Sequence, residues 1–182
     1  MPLTLDRPTI ERALTLLNAR LEAASVTGEL CIFGGSAMLL AFDARPTTRD
    51  VDAVFRPAAL VREAAAAIAE EMSLPADWLN DCVKGFASDT PEYVAEGLPQ
   101  FPHLRVIRPS ATYLLAMKCI AARVEGYDGP GDKGDAAFLA RHLGLRTSAE
   151  ILEIVTRYYA ASRLAVKTQY FVEEIAQELA KE

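Results

Sequence analysis

The sequence has few of the side chains on which zinc centres and histidine-based catalysis depend. It contains only two histidines, His103 and His142, and three widely spaced cysteines with no Cys-x-x-Cys pair. A zinc site or a histidine-based triad would have little material here. The cysteines, Cys31, Cys82 and Cys119, instead predict free thiols, which suit a reducing cytoplasm.

Long apolar runs and an excess of positive charge are also lacking. No apolar segment reaches transmembrane length, and residues 1–12 are too charged to form the apolar stretch of a signal peptide. The formal net charge is −6, which argues against non-specific electrostatic binding to nucleic acid, although an acidic enzyme can still act on one RNA end. We therefore predict a cytoplasmic protein with no membrane partner.

The length and the order of predicted elements indicate an α/β (α+β) protein. The chain has 182 residues, 51% hydrophobic and 24% charged, enough for one domain or one domain with a small appendage. The order is helix, strand, helix, strand, helix, strand, then helices. This order predicts a mixed sheet flanked by helices in residues 1–109, followed by a helical C-terminal part in residues 110–182 that packs on this core.

The first chemically informative segment is Phe33-Gly34-Gly35-Ser36, which follows a short apolar run that reads as a buried strand. Two glycines let the backbone approach a phosphate, and the helix predicted from Ser36 directs its positive dipole end there. The Ser36 hydroxyl adds a donor to this cradle. An ordinary tight turn is the alternative interpretation of the same residues.

The second segment is Asp50 to Phe55, predicted as a strand after a turn over residues 45–48. Side chains alternate along a strand, so Asp50 and Asp52 share one face while Val51 and Ala53 face a core. Two neighbouring carboxylates repel each other, and Mg²⁺ relieves that repulsion while binding phosphate oxygens. The alternative is a solvent-facing pair on an edge strand.

These two segments, separated by thirteen residues, resemble the signature of the DNA polymerase β-like nucleotidyltransferase superfamily. Within it the chain is most similar to the AbiEii-type nucleotidyltransferases of bacterial abortive-infection and toxin–antitoxin systems. Three further features carry this closer resemblance: Thr48-x-Asp50-x-Asp52, Lys118 on a late helix, and Asp132-x-x-Asp135. The resemblance covers roughly residues 28–145 and implies a nucleotidyltransferase fold.

The resemblance implies a role for each matching residue. The glycine turn, Gly34 and Gly35 with Ser36, would contact the triphosphate, and Asp50 and Asp52 would bind one or two Mg²⁺ ions. Arg49 would steer phosphate; its alternative is an ion pair with a neighbouring acid.

The late helix and the loop after it supply the remaining candidates. Lys118 would neutralise phosphate charge, and Asp132 or Asp135 would complete the polar site as a base or a nucleotide contact. The alternatives are a lysine that extends to solvent and an Asp132 that caps a helix.

One departure from the superfamily concerns the third carboxylate, which serves as the base for the attacking hydroxyl. The strand predicted at residues 104–108 has no acid, and the strand placement of Asp81 and Asp89 is open. A mechanism with two carboxylates would then draw its base from Asp132 or Asp135. The other interpretation is an inactive module that binds a nucleotide or a partner.

The leading functional prediction is a magnesium-dependent enzyme that moves a nucleoside monophosphate from a nucleoside triphosphate such as ATP to an acceptor hydroxyl. A tRNA end, a protein side chain and a small molecule are all compatible acceptors. The resemblance implies a toxin-like role with an antitoxin partner.

Overall fold

The computed structural model describes residues 4–81, 88–122 and 131–181, and these residues fall into two compact units. Unit 1 contains the described residues up to 81 together with 93–108, and unit 2 contains 88–92 and the described residues from 109 onwards. The fold is mixed α/β, as predicted, with helices, a five-stranded mixed sheet and a two-stranded sheet.

The strands and the first three helices belong to unit 1. Its strands are β1 (Leu5–Asp6), β2 (Gly28–Ile32), β3 (Thr47–Thr48), β4 (Val51–Arg56), β5 (Leu79–Asn80), β6 (Tyr93–Val94) and β7 (Leu104–Pro109). Its helices are α1 (Arg7–Ala23), α2 (Gly34–Phe42) and α3 (Ala58–Met72). The larger sheet has the order β5-β4-β2-β7-β6, with β2 antiparallel to β4 and parallel to β7.

Helix α1 begins where the sequence predicts it. The Asp6 carboxylate accepts a hydrogen bond from the Thr9 backbone N–H at 3.0 Å, and Pro8 stands in the first turn, where its missing N–H is not needed. The apolar positions at helical spacing are all buried: Ile10, Ala13, Leu14, Leu17 and Leu21.

The predicted alternation along β4 is confirmed. Val51, Ala53 and Phe55 are buried, whereas Asp52 lies on the opposite face and is half-buried. Burial of these three side chains removes apolar surface from water and stabilises β4 against the core. The strand is therefore not an edge strand, since β2 and β5 flank it.

Two local predictions in this region are wrong. Asp50 lies one residue before β4 and does not belong to it, although its carboxylate accepts a hydrogen bond from Asn80, the Cα partner of Asp52. Residues 45–48 are not simply a turn, because Thr47 and Thr48 form β3 and pair antiparallel with β1. Composition could not show this pairing, because the partner strand is forty residues earlier in the chain.

The proline- and glycine-rich segment 73–101 contains two short strands among loops, as predicted, within its described residues. Trp78 anchors the first of them. Its ring is fully buried, its Nε1–H donates to the Ala65 carbonyl at 3.0 Å, and its own carbonyl accepts the Val51 N–H at 2.6 Å. This anchoring holds β5 parallel to β4.

Unit 2 is helical in its described residues. Its helices are α4 (Ala111–Ala121), α5 (Gly131–His142), α6 (Ser148–Tyr158) and α7 (Val166–Leu179). The predicted cap of α6 is confirmed as a reciprocal capping box, in which the Thr147 hydroxyl accepts the Glu150 N–H while the Glu150 carboxylate accepts the Thr147 N–H.

Some predictions for unit 2 need correction or lie outside the described residues. Helix α4 ends at Ala121, earlier than predicted. Of the loop expected at 126–131, residues 126–130 lie outside the described residues, as does Cys82, and Gly131 is the first residue of α5. Asp132 is the second residue of α5 and not its cap.

Two of the cysteines, Cys31 and Cys119, are free and buried. Burial raises the pKa of both thiols to about 12. In the part of the chain that the structure describes, no helix is both long enough and apolar enough to cross a membrane.

Candidate functional site

The glycine turn lies directly against Asp52. The Phe33 N–H donates to the Asp52 carbonyl at 2.8 Å, which extends the β2–β4 ladder by one residue before the chain turns into α2. Gly34 then adopts a left-handed conformation (φ 55°), and a Cβ on it would lie 3.2 Å from the Asp52 Oδ2 atom. A side chain at position 34 would therefore be strained and would crowd the carboxylate.

Gly35 makes room for two polar side chains. A Cβ at this position would lie 2.6 Å from the Thr48 Oγ1 atom and 2.7 Å from an Nη atom of Arg45. The guanidinium of Arg45 therefore packs over the first turn of α2. Sequence reasoning did not select Arg45, since an arginine before a proline in a loop carries no signal of its own.

Ser36 is fully buried, and its hydroxyl donates to the Phe33 carbonyl at 2.8 Å. This bond closes the turn onto itself. The hydroxyl thus stabilises the entry into α2, whose positive dipole end and first backbone N–H groups lie at the glycines. Helix α2 therefore begins at Gly34, two residues earlier than predicted, and Gly34, Gly35 and Ser36 form its first turn beside Asp52.

Asp50 and Asp52 both lie next to the same residue of β5, Asn80. Asp50 and Asp52 are both half-buried. The Asn80 Nδ2–H donates to the Asp50 Oδ2 atom at 3.0 Å, and Asn80 is also the Cα partner of Asp52 across the β4–β5 ladder. The Thr48 hydroxyl donates to the Asp50 carbonyl at 3.2 Å, which ties the residue's backbone to β3.

Electrostatics around Asp50 favour a cation. Burial and then the charge of Asp52 raise the pKa of Asp50, and Asp77 adds to this effect. The hydrogen bond from Asn80 and the positive charge of the exposed Arg49 act in the opposite direction. The raised pKa shows that the ionised pair is repelled and incompletely solvated, which a divalent cation would relieve.

The donor set fits magnesium. Mg²⁺ is commonly held by one or two carboxylates together with substrate phosphates and water, and Asp50 and Asp52 supply two carboxylates beside a turn suited to phosphate. Within the described residues no cluster of three or more His, Cys, Asp or Glu side chains forms a ready cation cage.

The strand that was expected to carry the third carboxylate has none. Strand β7 carries no acid, and the strand next to β4 presents an amide, Asn80, beside Asp52. Asp77, which sequence reasoning missed, is exposed near the start of β5, and its charge reaches Asp50. The Asn80 hydrogen bond and the register of β5 against β4 bring these residues close to Asp50, and neither can be read from the sequence.

A second polar cluster lies within unit 2. The Lys118 Nζ atom is 2.7 Å from Asp132 Oδ1 and 2.8 Å from Asp135 Oδ2. The Lys118 side chain is only 9% exposed and that of Asp135 only 5%, whereas Asp132 is 48% exposed. Lys118 therefore does not extend to solvent, and the structure brings together the three residues that the sequence singled out.

The arrangement of this cluster separates the two aspartates by role. Asp135 is the buried partner that holds the ammonium in place inside the helical unit. Asp132 contacts the same ammonium from a half-exposed position in the first turn of α5, where solutes can reach it. Of the two, Asp132 is the more exposed partner of the ammonium.

Comparison with protein-family models, with curated proteins and with solved structures finds no match to this chain. Functional inference therefore depends on the geometry of the two clusters and on the sequence motifs that led to them.

Proposed function

We propose that this protein is a magnesium-dependent nucleotidyltransferase. The observation that supports the proposal best is the position of the Gly34–Gly35 turn, whose first glycine approaches the Asp52 carboxylate so closely that a Cβ would lie 3.2 Å from it. A phosphate-compatible helix entry and a carboxylate pair thus adjoin each other in unit 1.

In the proposed reaction the acceptor hydroxyl oxygen forms a bond to the α-phosphorus of a nucleoside triphosphate. The bond from that phosphorus to the α–β bridging oxygen breaks, pyrophosphate leaves, and the hydroxyl proton passes to a base. Mg²⁺, when bound, supplies charge neutralisation at the phosphates. The protein contributes position and electrostatics, which are the main catalytic effects in such transfers.

Each residue of the glycine turn has a distinct task in this proposal. The backbone N–H groups of Gly34 and Gly35 face the phosphates, and Ser36 keeps the turn in shape through its bond to Phe33. Asp50 and Asp52 hold the cation. The family resemblance alone, and not the geometry of unit 1, is the basis for proposing Lys118 as a phosphate-neutralising cation and Asp132 as a base.

The acceptor and the partner are proposed from the family resemblance. The acceptor classes are tRNA and protein, and the biological role is that of a toxin with an antitoxin. Growth arrest on expression of the wild-type chain, relieved by Asp52→Asn, would support the toxin role. Equal growth with both chains would count against it.

The biochemical test is incubation of the protein with each α-labelled nucleoside triphosphate, Mg²⁺ and either total RNA, total protein or small hydroxyl compounds. We expect label to enter one acceptor class and Asp52→Asn to abolish transfer. Asp43→Asn is the matched control, because Asp43 is exposed and its backbone is left-handed (φ 53°), a conformation that asparagine tolerates.

The outcomes separate the candidate functions. Transfer to RNA or protein that survives in Asp43→Asn but is lost in Asp52→Asn supports the proposal. Transfer only to small hydroxyl compounds identifies a small-molecule nucleotidyltransferase. Saturable nucleotide binding with no transfer to any acceptor would overturn the enzyme and identify an inactive binding module.

A further inference from the structure

Asn80 is the residue of β5 that contacts the carboxylate pair. It lies at the end of a two-residue strand, opposite Asp52 in the parallel ladder, and its amide nitrogen donates to the Asp50 Oδ2 atom. A neutral amide therefore stands where a third acid would multiply the repulsion between Asp50 and Asp52.

The position of Asn80 is fixed by the buried residues just before it. Two residues earlier in the chain, Trp78 is fully buried and accepts the Val51 N–H, and Leu79 is buried opposite Val51. The amide thus reaches Asp50 from a strand position that is held by the buried residues next to it. A donor held in this way can fix the rotation of the carboxylate that it contacts.

The hydrogen bond distinguishes the two oxygens of Asp50. Oδ2 accepts the amide N–H and has one lone pair occupied by it, which favours coordination of a cation through Oδ1. Mg²⁺ requires a near-ideal octahedron and is satisfied by single carboxylate oxygens, whereas Ca²⁺ takes six to eight ligands and readily uses both oxygens of one carboxylate.

We propose that Asn80 is a positioning residue that presents Asp50 as a one-oxygen ligand and thereby makes the site favour Mg²⁺ over Ca²⁺. The inference rests on the proposed function only in that Asp50 and Asp52 bind a cation. It requires neither nucleotide transfer nor a particular acceptor.

The test measures cation binding to the full-length protein without nucleotide. Binding of Mn²⁺, a Mg²⁺ substitute with an electron paramagnetic resonance signal, is titrated, and Mg²⁺ and Ca²⁺ are then used to displace it. The variants are Asn80→Ala, which removes the donor, and Asn80→Asp, which replaces it with a charge. Asn18→Ala is the matched control, because the Asn18 amide also makes one hydrogen bond in unit 1, to the His103 N–H at 2.8 Å.

In Asn80→Ala we expect the affinity for Mg²⁺ to fall by about tenfold, the lower range seen when an outer partner of a metal ligand is removed, and the affinity for Ca²⁺ to fall less, so that the preference for Mg²⁺ decreases. In Asn80→Asp both cations should bind more tightly because the negative charge increases, and the preference for Mg²⁺ should again fall. Asn18→Ala should keep the wild-type preference.

Two results would overturn the inference. In the first, Asn80→Ala keeps the wild-type ratio of Mg²⁺ to Ca²⁺ affinity, either with both affinities unchanged or with both weakened equally, as a general loosening of unit 1 would do. In the second, Mn²⁺ binding is the same in wild type and in Asp52→Asn. A protein that shows the expected cation preference yet transfers no nucleotide would refute the proposed function and leave the role of Asn80 intact.

Discussion

Removal of the Lys118 ammonium should destabilise the protein far more than removal of its outer carboxylate partner. In Lys118→Met the Asp135 carboxylate, only 5% exposed, loses a cation at 2.8 Å. Breaking a buried ion pair from one side costs about 3–5 kcal/mol in the free energy of unfolding, because a charge remains in a poorly solvated place. Methionine keeps most of the volume of lysine, so packing changes little.

Asp132→Asn is the internal comparison for this prediction. Asp132 contacts the same ammonium but is 48% exposed, so water can replace what is lost. We expect a loss of about 0.2–1 kcal/mol, the range of solvent-exposed ion pairs. The double variant Lys118→Met with Asp135→Leu should recover much of the stability of Lys118→Met, since it leaves no single buried charge.

The assay is urea unfolding followed by circular dichroism. The midpoint should fall strongly for Lys118→Met, slightly for Asp132→Asn, and by an intermediate amount for the double variant, with an unchanged dependence of the free energy on urea concentration. Equal destabilisation by Lys118→Met and Asp132→Asn would refute the reasoning. So would a double variant less stable than Lys118→Met alone, because then burial of charge would not be the cause.

Two further predictions concern the glycine turn and the cap of α6. Gly35→Ala should abolish nucleotide binding while the protein stays folded, because the new Cβ would lie 2.6 Å from Thr48 Oγ1 and must displace that side chain. Calorimetry with a non-hydrolysable triphosphate measures the binding. Wild-type affinity in the variant would contradict the prediction. Glu150→Gln should flatten the loss of stability in acid. Hydrogen bonds from the Arg146 and Thr147 backbone N–H groups lower the pKa of Glu150, so its contribution is present above the ordinary glutamate pKa and is lost as pH falls through the lowered value. Urea midpoints across this range measure the effect, and parallel curves for variant and wild type would refute it.

Local patterns in the sequence were sufficient for the existence of the helices, although not for all their bounds, and for the faces of β4. Asp6 and Thr147 cap the helices expected to follow them, and Val51 and Ala53 alternate into the core as a strand period requires. These features depend on residues within one or two turns of each other, so spacing and side-chain chemistry predict them. The mixed α/β class follows from the same local elements taken in order.

The environment of the candidate residues was decided by contacts between distant parts of the chain. Parallel pairing of β5 with β4 brings Asn80 to Asp50, and the space over Gly35 is filled by Arg45. Neither has a periodic signal, because strand pairing and side-chain packing depend on which surfaces meet and not on local composition.

Lys118 shows most clearly which properties the sequence predicts and which the tertiary structure decides. In the sequence it is one cation in an apolar helix, for which exposure and burial were both open. Helix α5 packs against α4 and brings two carboxylates to its ammonium, and those partners make burial of the charge tolerable. The sequence by itself determined which residues are chemically unusual and which local elements carry them. The tertiary structure alone decided their partners, because the free energy of a buried charge depends on neighbours that are distant along the chain.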